Sequence, residues 1–167
     1  MDAGWNLDGD CWNAGHQLLV RLMDLRTAQS AAADDAIRDY CLTLRRSDSS
    51  LALRRIQSDF HVPDYGIVLL IYGAASQWGV PPINFRVHEA VYLAVGFHPR
   101  CLIRAHSIIR NQVGFGRLLL RHGQYLGISR EFHQRLGGSA FSDEDAARLK
   151  RRIAALPTVL DTDETAN

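Results

Sequence analysis

Apolar residues recur along this chain first at helical spacing, then all round one helix, then in short extended runs, and that order predicts the architecture. Between Cys11 and Arg26, Trp12, Gly15, Leu19, Leu22 and Met23 fall three and four apart, with Asn13, Gln17, Arg21 and Asp24 facing away. Ala33, Ala36, Ile37, Tyr40, Cys41 and Leu44 follow the same rule without a gap. Asp34 and Asp35 stand near the start of that segment and Arg45 and Arg46 at its end, as the helix dipole favours. The two segments predict an antiparallel helical pair over 11–47. Ser50, at the end of the loop 47–50, is placed to cap a short third helix carrying Leu53, Ile56 and Phe60.

Pro63 suits the first turn of a helix running to about Trp78, and Tyr65, Ile67, Val68, Leu69, Leu70, Ile71 and Tyr72 surround its axis. A helix apolar on every side is the predicted centre of the core. Gly79-Val-Pro-Pro82 breaks the chain. A stub of strand at 83–85 and a helix over 86–95 are expected next, and His98-Pro99 opens a helix to about Gln112. On that helix Leu102, Ala105, Ile109 and Val113 make an apolar stripe, with Arg100, Arg104, Ser107 and Asn111 opposite. Gly114 and Gly116 end the helical period. The runs 117–121 and 124–128, turning at His122-Gly123, then predict a two-stranded hairpin. Ser129 caps a helix holding Phe132 and Leu136, stopped by Gly137-Gly138, and Ser142-x-x-Asp145 opens a last helix within 139–156. Residues 1–10 read as a flexible N-terminus and 157–167 as a disordered acidic tail.

Helices closed by a hairpin describe a winged helix, the helix-turn-helix variant whose wing is the hairpin. The expected fold class is therefore mainly α: a winged helix-turn-helix core over 48–138 with a small β-hairpin and an added N-terminal helical pair. The stretches "CWNAGHQLLVRLMDLR" (11–26), "SSLALRRIQSDFHVPDYGIVLLIYGAA" (49–75) and "LLLRHGQYLGISREFHQRLGG" (118–138) resemble the winged-helix region that precedes the ATPase module in a group of bacterial AAA-type ATPases. Trp12, Phe60, Leu69, Leu70, Ile128, Phe132, Leu136 and Gly138 carry the likeness. These are core positions, so the resemblance implies fold more than activity, with an AAA-type ATPase assembly as the implied partner. After Phe60 this chain reads His-Val-Pro-Asp where the family tends to a Gly-Leu-Ser type cap, and the ATPase module is absent from it.

Charge changes the picture only locally. The net charge is +1, yet residues 100–136 sum to +6 while 1–64 and 137–167 are both negative. Eighteen of the nineteen basic residues are Arg, a bias that suits bidentate anion contacts and also follows from base composition. Lys150 lies between Leu149 and Arg151, so the nucleotide-binding motif G-x-x-x-x-G-K-[ST] is absent and no nucleotide binding or cofactor is expected. His88-Glu89 begins like a zinc-protease helix, but Tyr92 stands where the second His must be. Cys101 and His106 point about 140° apart on an ideal helix and do not converge with His98 on a metal. Cys11, Cys41 and Cys101 lack disulfide or zinc spacing. No secretory leader is evident, and the most apolar run, 66–75, is too short to span a bilayer, so a cytoplasmic setting is expected.

The basic stretch is the one feature with a functional reading. A surface made of Arg100, Arg104, Ser107, Asn111, Arg117, Leu119, Arg121 and Tyr125 is expected to hold a protein partner, without catalysis. The alternative is duplex DNA, read by the helix 99–112 with the 117–128 wing on the backbone.

Overall fold

The computed structural model describes residues 4–25, 30–77, 90, 91, 94, 99–122 and 125–136. Its elements are α1 (Asp8–Leu25), α2 (Ser30–Arg45), α3 (Ala52–Asp59), α4 (Asp64–Gln77), α5 (Pro99–Asn111), a 3-10 turn (Gly114–Leu118), β1 (Leu119–His122), β2 (Tyr125–Ile128) and α6 (Arg130–Arg135). Ala90, Val91 and Ala94 are helical and buried, inside the helix expected over 86–95. The stub strand at 83–85, the helix within 139–156 and the tail lie outside the described residues.

α4 is the hub, for the reason its sequence gives. Every residue from Gly66 to Ala75 is buried, so α4 must be covered on all sides, and α1, α2 and the hairpin do the covering. α1 contributes Cys11, Trp12, Leu18, Leu19 and Leu22 to this core, and α2 contributes Ala33, Ile37, Tyr40, Cys41 and Leu44. Asn13 is half-buried, and Gln17, Arg21 and Asp24 face solvent as the pattern predicts.

The N-terminal stretch is tied down from Trp5 onward. The Trp5 amide donates to Ser47 Oγ at 2.8 Å, and the Asp48 amide donates back to the Trp5 carbonyl at 3.0 Å. Asp8 then caps a helix remote in sequence: its Oδ1 accepts from the Ala52 amide at 3.0 Å, satisfying a first-turn donor of α3. This corrects the expectation for Ser50. The Ser50 amide and hydroxyl are both taken by Asp48 Oδ1 in a local turn, at 2.9 and 2.8 Å, so Ser50 does not cap α3. At Ser129 the expected cap is made: its side chain accepts from the Phe132 amide at 3.2 Å.

The switch from helix to hairpin comes where the glycines put it, through a step the pattern did not contain. α5 stops at Asn111, Gln112 and Gly114 take φ of 51° and 53°, and 114–118 forms a 3-10 turn before any strand begins. Gly116 lies so close under the Ile108 carbonyl that a Cβ has no room there. The strands then pair antiparallel in the register Leu119 to Ile128, Leu120 to Gly127, Arg121 to Leu126 and His122 to Tyr125. The connection is therefore 123–124, one residue later than the expected His122-Gly123. The hairpin lies on α4 at Gly73, where a Cβ would meet Leu119 Cδ2 at 2.6 Å and the Gly127 carbonyl at 3.3 Å. The described molecule is thus mainly helical with one small antiparallel hairpin.

Candidate interaction surface

α5 is amphipathic, and its two sides are built from different residue types. Ala105 and Ile109 are buried, with Cys101, Leu102 and Ile108 packed against the core beside them. Val113, expected to extend this stripe, is 52% exposed, because the helical period has ended two residues earlier. Outward stand Arg100, Arg104, Ser107 and Asn111, all exposed, with Asn111 Nδ2 donating to Ser107 Oγ at 3.2 Å. Arg110 joins them, and so does Ile103, which at 73% exposure is the most exposed large hydrophobic residue among those described. On an ideal helix Arg100, Ser107 and Arg110 fall within about 60° of Ile103.

Arg100, Arg104 and Arg110 form no ion pair among the described residues. Within α5 itself the sequence allows no such pair, since no Asp or Glu occurs between Glu89 and Glu131. Arg104 lies near Tyr65 of α4, whose ring meets Phe115 edge-on at 6.1 Å between centroids. Burial pushes the Tyr65 hydroxyl above its ordinary value, and the charge of Arg104 opposes that rise.

Arg117, assigned to the same surface from sequence, is committed elsewhere. It sits on the 3-10 turn, and its Nη2 donates to Glu131 Oε1 and Oε2 at 2.8 and 3.1 Å. Arg135 donates from Nε to Glu131 Oε2 at 3.4 Å and from Nη1 to Asp59 Oδ2 at 3.2 Å. Both guanidiniums lie over the Phe60 ring, 5.6 and 4.8 Å from its centroid. Arg117, above all by its hydrogen bond, holds the Glu131 carboxyl below its ordinary value, with Arg135 adding to the effect. This cluster clasps α3, the 3-10 turn and α6 together.

Leu119 requires a correction. It is fully buried against α4, because the intervening 3-10 turn phases the strand with Leu119 inward, and it cannot meet a partner. Arg121 on β1 is exposed. Tyr125 pairs with His122 in the ladder, and its side chain lies outside the described residues. Of the expected set, α5 brings Arg100, Arg104, Ser107 and Asn111 onto one face, Arg117 belongs to the clasp and Leu119 to the core. Ile103 and Arg110 were missed. Both could have been found by asking which residues share an angle with Arg100 and Ser107.

Elsewhere the chemistry is quiet. Cys11 is buried with its Sγ 3.5 Å from Tyr40 Oη, and Tyr40 Oη donates to the Cys11 carbonyl at 3.0 Å. Burial pushes the Cys11 thiol up to about 12 and raises Cys41 too, the opposite of nucleophile activation. No cluster of three His, Cys, Asp or Glu side chains able to hold a metal occurs among the described residues. An open groove of about 490 Å³ between α1 and α2 mixes Arg21, Asp35 and Asp39 with Ala14, Leu18 and Ala36. Among the described residues no helix is long and apolar enough to cross a membrane. Comparison with models of protein families, with curated proteins and with solved structures gives no match to this chain.

Proposed function

We propose that the chain is a non-catalytic docking module of winged-helix type that holds a protein partner on the outward face of α5. The observation that carries this reading is Ile103, 73% exposed on a helix face shared with Arg100 and Arg110, which no described carboxylate engages. An exposed aliphatic side chain with Arg100 and Arg110 beside it has the composition of a protein interface, where Arg is enriched and apolar anchors sit centrally. Two further points support it. α5 is the last α-helix before the hairpin, the place of the recognition helix in a winged helix, and the resemblance to AAA-type ATPases favours an assembly of that class as partner.

Duplex DNA is the second reading, favoured by the arginines with Ser107 and Asn111 along one side of α5. It is weakened by the loss of Arg117 to the clasp and by a net charge of only +1. The two separate on different substitutions. Ile103→Asp leaves thermal melting unchanged and lowers capture of an AAA-type ATPase from host extract by at least about 30-fold, the effect of losing a central anchor. If instead random duplex is retarded at low salt, and Arg104→Ala and Asn111→Ala abolish this, the docking reading gives way to DNA binding.

A further inference from the structure

Two surfaces of this molecule are opposite in sign and matched in spacing. On α5, Arg100, Arg104 and Arg110 meet no described carboxylate, and Ile103 stands exposed on the same helix. Leu42 of α2, 37% exposed, also stands one turn from a cation, Arg46, but Asp39 lies one turn before it, so both signs occur there. The other surface is the open groove between α1 and α2. Ala14, Leu18 and Ala36 give it an apolar lining, and Asp35 and Asp39 stand exposed along its α2 side. Asp39 enters no ion pair among the described residues. Asp35 meets Arg38 at 3.6 Å with both side chains largely in solvent, a contact worth little. Arg21 stands on the α1 side, so the groove is acidic along one edge only.

We infer that the outward face of α5 seats in the groove between α1 and α2 of a second copy of this chain, head to tail. This rests on the docking reading and names a partner for that face. Ile103 enters the groove against Ala14, Leu18 and Ala36. On an ideal helix Arg100 and Arg104 both lie to one side of Ile103, about 60° and 100° round the axis, so both turn to the same edge of the groove. They stand one turn apart, about 6 Å along the axis, as Asp35 and Asp39 do on α2, so the two rows pair in register. Arg21 disfavours the opposite edge. The face cannot seat on the same face of another copy, because that brings two sets of three arginines together with no acid on either helix. The contact is therefore heterologous, and each added copy covers one α5 while a groove and an α5 stay open at the ends of the row. One helix in one groove covers less than the about 1,200 Å² of a stable interface, so association is weak and depends on concentration.

The test is sedimentation equilibrium of the full chain from about 5 to about 500 μM. The weight-average mass is expected to rise above that of the monomer with concentration, and to fall back in about 1 M salt. Ile103→Asp spoils the face and keeps the groove, whereas Asp35→Lys combined with Asp39→Lys spoils the groove and keeps the face. Each variant alone self-associates at least about tenfold more weakly, with thermal melting unchanged because all three positions are exposed. Mixed in equal amounts, the two form a heterodimer with the affinity of the native contact and grow no further, since a single working face and groove remain. Asp39→Asn, which keeps the shape of the side chain, weakens self-association at least about threefold. A native chain that stays monomeric, variants that self-associate as the native chain does, or a mixture that stays monomeric overturns the inference. The docking reading survives each of those outcomes and falls only if Ile103→Asp leaves capture of the ATPase assembly intact.

Discussion

Two groups of arginines stand within the same basic stretch and do opposite things. Arg117 and Arg135 are stacked on Phe60 and tied to Glu131 and Asp59, so their charge is neutralised and their stems cover apolar surface. Arg100, Arg104 and Arg110 stand on one helix with no carboxylate among the described residues engaged, and an exposed isoleucine stands on the same helix. The difference is set by where the acids are: Asp59 reaches Arg135 across 76 residues of sequence, and no carboxylate among the described residues reaches α5. A segment's summed charge therefore says little about a site until the internally spent cations are removed.

The comparison can be broken most severely at the layer beneath both groups. Leu119→Ala leaves a cavity over Gly73 and is expected to cost about 2–5 kcal/mol in urea denaturation. A cost under about 1 kcal/mol would restore Leu119 to the surface. Next comes Glu131→Gln, which removes the shared anchor of the clasp and, its partners being solvent-exposed, costs about 0.5–1 kcal/mol while leaving partner capture unchanged. The pH dependence follows from the same carboxylate. Its folded value lies below the ordinary 4.5, so its contribution is full above about pH 4.5 and fades as the pH falls through the folded value. The gap in urea midpoint between the native chain and Glu131→Gln should thus be widest at neutral pH and narrow in acid. The smallest stability effects belong to Arg100→Ala, Arg104→Ala and Arg110→Ala, each within about 0.5 kcal/mol by the same measurement. A loss above about 0.5 kcal/mol at any of them would place it with the clasp.

What the sequence made legible was local and periodic. α4 could be read as the hub because Tyr65 to Tyr72 is apolar round the whole axis, and the Ser129 cap because its partner is three residues away. Leu118, Leu119 and Leu120 could not be phased, since the 3-10 turn that ends at Leu118 carries no periodic signature and buries both Leu118 and Leu119. The bond from Asp8 to Ala52 and the meeting of Arg117 with Phe60 are long-range facts that no window of the chain contains. On α5 the polar side was legible from Arg100, Arg104, Ser107 and Asn111. Ile103 escaped because a pattern that sorts apolar residues inward does not look for one facing out.

The bond from the Ala52 amide to Asp8 links two places 44 residues apart through a single proton. Deuterium uptake at position 52 accordingly clocks the fraying of α1's first turn, although nothing in α1 itself is observed. A change at the front of the chain that draws Asp8 away should accelerate exchange there first, ahead of any loss of helix visible by circular dichroism.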